Sequence, residues 1–271
     1  MAVTMVILAI VVLAGVFIIG NVFMSRTIDA EVEELFSDSK DVSHKTFNYE
    51  DISDLPEPVQ HYFRNVLPAG QPYISHLRLK YEGKFKIDLK KKWIDIKGEQ
   101  YFTADPPGFI WVGKTSLFTA RDMYIGGNGR LVVKLLSLIT VANAEGKKID
   151  QAELLRWLGE SVWFPTNLLP GDNLDWKPID SDTVRLGFYY DNKKIYYDVT
   201  FNQEGEIVKM ETERYMDENL ERWIGKFYNY EETDGIIVPT EIEAIWNLED
   251  GDYSYARFTV RDFEYNKPER Y

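Results

Sequence analysis

The sequence predicts an α+β protein: a long curved antiparallel β-sheet of about 11–12 strands, a half-barrel, covered by one or two helices. Three observations predict it. From residue 73 onward, segment after segment alternates apolar and polar side chains with a period of two. The turns between them are rich in Gly, Asn and Asp, and a helical stretch near residues 150–160 interrupts the series once. Ahead of all this, residues 2–24 carry no ionisable side chain. That length is about what ~30 Å of hydrocarbon requires, so the sheet domain is expected to follow an N-terminal membrane helix.

The expected organisation is a transmembrane helix over 1–25, an amphipathic stalk and linker over 26–54, and the half-barrel domain over 55–271. A signal peptide is the competing reading of the first segment. No basic stretch precedes the apolar run, and no small-x-small site stands before Arg26. In the stalk, Ile28, Val32, Leu35 and Phe36 fall on one helical face. A second helix is marked by Pro58 near its first turn, by Val59, Tyr62, Phe63 and Val66 on one side, and by Pro68 as a stop.

The strands follow in order. Leu77, Leu79 and Tyr81 alternate with His76, Arg78 and Lys80, and Phe85, Ile87 and Leu89 alternate with lysines and Asp88. Further strands are expected over 93–103, 109–115, 117–125 and 130–141, with IGGNGR supplying a hairpin turn that tolerates positive φ. The covering helix is KIDQAELLRWLGES, with Asp150 as N-cap, Glu153 three residues on, and Leu154, Leu155 and Leu158 on one face. Strands then resume over 174–179, 184–190, 194–201, 207–215, 223–231, 236–248 and 253–265.

Composition excludes several functions. An apolar content of 45% allows a sizeable core, whereas a net charge of −13 leaves no basic surface for nucleic acid. The absence of cysteine removes disulfides, thiolate metal sites and cysteine nucleophiles. Three histidines, His44, His61 and His76, show no metal-ligand spacing and are read as surface residues. No cofactor is implied.

Five segments, LPEPVQHYF, PPGFIW, RDMYIGGNGR, ELLRWLGESVWFPTNLL and VPTEIEAIWNL, together resemble an uncharacterised bacterial and archaeal family, a domain of unknown function, over residues 55–265. The expected architecture is also similar to the half-barrels of periplasmic lipoprotein carriers and mycobacterial lipid-binding lipoproteins. That likeness implies an apolar concave face, and it implies a domain outside the cytoplasmic membrane on a single-pass anchor. Arg26 alone, after the span, leans the other way.

The candidate ligand site is built on SVWFPTNLLPG, residues 161–171, an uncharged stretch where the covering helix stops. Trp163, Phe164, Leu168 and Leu169 either plug the core or rim a mouth. Phe109 and Trp111 share a strand face after a Pro-Pro-Gly turn, and Tyr124 and Trp246 extend the same inner surface. For catalysis, Asp122, Glu160, Glu241 and Glu243 are the carboxylates able to form a buried pair, with Arg121, Arg214 and Arg257 as structural neutralisers.

Three classes of function stay open. The first is membrane-tethered binding of an apolar or lipid-like small molecule, with the bilayer as partner. The second is an envelope scaffold that presents its sheet to a partner protein. The third is a hydrolase using paired carboxylates. A void lined by Trp111, Trp163 and Phe164 favours binding, and a filled interior favours the scaffold.

Overall fold

The computed structural model describes residues 2–271, with the side chains of residues 1–3, 6, 9–14 and 16 outside the description. Helix α1 (Ala2–Ser37) leads through a 3-10 turn into α2 (Glu57–Val66). Six strands follow: β1 (His76–Phe85), β2 (Ile94–Thr103), β3 (Gly108–Lys114), β4 (Phe118–Ile125), β5 (Asn128–Leu135) and β6 (Ile139–Glu145). Helix α3 (Lys147–Glu160) and two 3-10 turns come next. The rest is β7 (Leu174–Pro178), β8 (Thr183–Tyr190), β9 (Lys193–Phe201), β10 (Ile207–Met216), β11 (Asn219–Thr233), β12 (Ile236–Leu248) and β13 (Gly251–Tyr265).

All thirteen strands form one open antiparallel sheet, ordered β6-β5-β4-β3-β2-β1-β13-β12-β11-β10-β9-β8-β7. Two meanders are therefore joined through β1 and β13. Helix α3 touches β3 to β6 on one side and β9 and β10 on the other. In a flat sheet β5 and β10 would lie about 38 Å apart, against a helix diameter of ~10 Å, so the sheet curls around α3.

The extra strand is a correction. Residues 130–141 read as one run, but Leu136 and Ser137 take φ of 51° and 60° and turn the chain between β5 and β6. Neither residue type advertises a left-handed turn, and the flanking apolar run hides it. The turns that were legible behave as their residues require: Gly126 and Gly127 have φ of 57° and 84°, and Asp191 and Asn192 have 49° and 59°.

The N-terminal expectation also changes. Much of the span expected over 1–25 lies outside the described side chains, and among the described residues no helix is long and apolar enough to cross a membrane. No break separates the segment expected as an anchor from the one expected as a stalk. Helix α1 runs on to Ser37 because nothing between Met24 and Ser37 interrupts it, and Met24, Ile28, Val32, Leu35 and Phe36 are buried against Tyr101, Ile110, Val112 and Met123 on the convex face of the sheet. Arg121 on β4 donates to Glu31, and Arg270 donates to Asp29 at 2.6 Å and to Glu99 at 2.9 Å, clamping the helix from both sides.

His76 is not a surface residue. It is buried under the end of α1, edge-on to Phe36, with Nε2 2.7 Å from Ser39 Oγ. Its strand face looked outward in the sequence only because the helix that covers that face belongs to a distant segment.

Candidate binding site

Alternation sends Leu77, Leu79, Tyr81, Phe102, Phe109 and Trp111 to the concave face, where α2, α3 and the 3-10 turns fill the curl. Here the sequence-predicted residues fall in two groups. Trp163, Phe164, Leu168 and Leu169 are packed in the core beneath the sheet; Trp163 is 2% exposed and its Nε1 donates to Pro239 O at 3.0 Å. Phe164 rests against Phe102 at a ring distance of 5.3 Å. Tyr124 is fully buried, and Trp246 stacks on Tyr255. Phe109 and Trp111, by contrast, border a cluster of charges.

That cluster lies between α3 and the concave face. Arg156 Nη1 donates to Asp122 Oδ2 at 2.6 Å, and Arg156 Nε donates to Glu160 Oε1 at 2.9 Å. Gln100 Nε2 donates to Glu160 Oε2 at 2.5 Å, and Arg214 Nη2 reaches Glu153 Oε1 at 3.5 Å. The Arg156 guanidinium stands 5.3 and 4.9 Å above the rings of Phe109 and Trp111. Trp111 stacks in turn on Tyr81 and leans on Phe258, so an aromatic floor underlies the charges. The floor sits low because Gly113 and Gly98 carry no Cβ: one at Gly113 would collide with the Trp111 ring, and one at Gly98 with Val112 O and the Tyr81 hydroxyl.

Burial dominates the electrostatics. It raises the carboxyl of Glu153 to about 8, with Asp122 adding repulsion. Burial also raises Asp122 and Glu160, outweighing the attraction of Arg156 for each. Burial alone would lower Arg156, but Glu160, Asp122 and Glu153 together hold it above its ordinary value. Four buried polar atoms in this patch, Asp122 Oδ1, Glu153 Oε2, Arg214 Nε and Trp111 Nε1, have no hydrogen-bond partner.

Of the carboxylates singled out from sequence, Asp122 and Glu160 do meet, bridged by Arg156. Glu241 and Glu243 do not join them. They alternate with Ile242, which packs inward, and line an open cleft of 1220 Å³ that Ile96, Ile242 and Phe258 also border. There Arg257 binds Glu243 at 2.8 Å, Asn229 binds Glu241 at 2.9 Å, and Lys84, Lys97, Glu82 and Asp95 complete a mixed-charge surface. The expected neutralisers also sort differently: Arg214 serves Glu153, Arg257 serves Glu243, and Arg121 holds Glu31 of α1. Among the described residues no group of three or more His, Cys, Asp or Glu suits a metal ion.

Gln100, Glu153 and Arg156 are cluster residues that sequence reasoning passed over as site residues. Glu153, Arg156 and Glu160 recur at i, i+3 and i+7, a spacing that puts three charges on one helical face. Glu153 was read as part of a capping box, but α3 starts earlier, at Lys147 after Gly146, whose φ of 111° lets the chain turn in. Asp150 then lies inside the first turn and accepts from Gly129 N at 2.8 Å.

These features define a class: an open antiparallel sheet curled around a helix, with an occluded ionic cluster at their interface. The chain belongs to the family of unknown function DUF6544, whose model matches residues 45–258. Among solved structures, the chain is similar to a LolA superfamily protein from Nitrosomonas europaea, with 10% identity, a TM-score of 0.43, and coverage of 78% of this chain and 92% of that one. It is also similar to a putative outer membrane lipoprotein-sorting protein domain from Vibrio parahaemolyticus, with 10% identity, a TM-score of 0.44, and coverage of 81% and 94%. No curated protein matches the chain.

Proposed function

We propose that this protein is a membrane-proximal binding module for an amphipathic, lipid-like molecule. The ligand's polar end meets Arg156, Arg214 and their carboxylates, and its apolar part lies on the floor of Trp111, Tyr81 and Phe258. One observation carries the reading: four buried polar atoms around a cluster of five ionisable side chains are left unpaired. A cluster serving only stability would be expected to satisfy them, since each unpaired buried group costs about 1–3 kcal/mol. A ligand carrying both a donor and an acceptor would complete them.

In this reading the apolar part of α1 meets the bilayer, and the domain stands on its extracytoplasmic side. The exposed Phe17, Ile18, Ile19, Val22 and Phe23 support contact with hydrocarbon. The scaffold reading keeps one specific support, the full burial of Trp163 and Phe164 in the core.

Lipid extraction and native mass spectrometry of the full chain distinguish the two. Wild type is expected to carry a bound amphipathic species that Arg214→Met, with the same α1, does not retain. Equal material in both, or clean protein in repeated preparations, overturns the binding reading and leaves the scaffold.

A further inference from the structure

The lysines of this acidic chain are unevenly placed. Residues 84–93 read KFKIDLKKKW, five lysines against one aspartate in a chain of net charge −13. They build the hairpin between β1 and β2. Asp88 is spent inside its turn, where Asp88 Oδ1 accepts from Lys90 N at 2.9 Å and Asp88 O accepts from Lys91 N at 2.8 Å. The turn leaves Lys90, Lys91 and Lys92 exposed, and Ile87 beside them is 66% exposed. Lys86 and Arg257 both lie over the ring of Trp93, at 4.7 and 5.2 Å. Among the described residues, none of Lys86, Lys90, Lys91 and Lys92 pairs with a carboxylate.

Register fixes what stands beside this hairpin. Phe85 pairs with Ile94 and Lys97 with Lys114, so the hairpin, the β3–β4 turn and the β5–β6 turn share one edge. On that edge Leu117 and Ile139 are each 60% exposed. Helix α1 leaves the sheet at the same edge: Ser137 Oγ donates to Asn21 Oδ1 at 3.1 Å, Gly20 lies against Leu138, and the exposed Ile18 and Ile19 follow. The β12–β13 turn next to the hairpin carries Glu249 and Asp250, which confines the cationic, apolar edge to the β1–β6 side.

We infer that this edge is a docking surface for an anionic bilayer: Lys86, Lys90, Lys91 and Lys92 pair with lipid phosphates while Ile87, Leu117 and Ile139 enter the acyl boundary. Exposed apolar side chains ringed by lysine are the composition that partitions into a negatively charged interface. An anionic leaflet would otherwise repel a domain of this net charge. The local cationic edge therefore decides whether the domain lies against the membrane or stands off it. The inference rests on the bilayer-facing reading of α1 only in that α1 brings this edge to the surface. Dependence on lipid charge is what the hairpin adds.

The chain has no cysteine, so a single introduced one is a unique labelling site. Full-length Ile87→Cys carrying a nitrobenzoxadiazole label is mixed with phosphatidylcholine vesicles, or with vesicles containing phosphatidylglycerol, and flotation is followed in parallel. A blue shift and brightening on the anionic vesicles alone is expected. The shift should be lost in about 0.5 M salt and when the four lysines are changed to Gln, which weakens hairpin partitioning roughly thousandfold, while flotation persists through α1. A label at Ala69→Cys, in the exposed loop before β1, should not respond. An unmoved Ile87 label on floating protein overturns the docking surface and spares the α1 reading. Failure to float on either vesicle overturns both. An equal shift on neutral vesicles, or an equal response at Ala69, also overturns the docking surface.

Discussion

Arg156 on α3 and Asp122 on β4 are joined at 2.6 Å across the interface between the covering helix and the curled sheet. Both are largely shielded from solvent, and the same guanidinium also holds Glu160 at 2.9 Å. Removing it would strand two carboxylates. Arg156→Ala is therefore expected to destabilise the fold by about 3–5 kcal/mol, measured by urea unfolding at neutral pH. A loss under about 1 kcal/mol would mean the pair behaves like a surface bridge.

Glu153 gives the molecule a pH signature. Its carboxyl is raised from 4.5 to about 8 in the fold, so between those values the folded state binds more protons than the unfolded chain. Its contribution is complete below pH 4.5 and is lost as pH rises toward 8. Urea midpoints should decline across that window in wild type, and Glu153→Gln should flatten the decline. An unchanged slope in the variant would show that Glu153 is not the group responsible.

Trp163 tests the packed half of the interior. Its ring is buried and its Nε1 is bonded to Pro239 O, so Trp163→Ala should cost about 3–5 kcal/mol. A nearly unchanged melting temperature would instead put the ring at a yielding rim.

Gly98 tests the aromatic floor. A Cβ there would meet Val112 O and the Tyr81 hydroxyl, which donates to that same Val112 O at 2.9 Å. Gly98→Ala is expected to cost about 1–3 kcal/mol and to disturb the near-ultraviolet circular dichroism of the Tyr81–Trp111 stack. Wild-type stability and spectrum would show that the strand shifts freely.

Much of the sheet was legible because period-two alternation and Gly, Asn and Asp turns are local signals. The β5–β6 turn was not, since Leu136 and Ser137 adopt left-handed angles that their side chains do not announce. In the site, Asp122 and Glu160 were visible as candidates, while Arg156 between them was not. A charge on a leucine-rich helix reads as solvent-facing until another element covers it.

By itself the sequence determined the sheet class, a helix near residues 150–160 and the concave set that contains Phe109 and Trp111, because side-chain periodicity answers to the backbone alone. Only the tertiary structure decided which carboxylates meet. Glu241 and Asp122 both lie on strands, yet one lines the open cleft and the other meets Arg156 of α3. The curl of the sheet, which no single strand encodes, then brings Arg214 from β10 to the Glu153 that α3 carries past it.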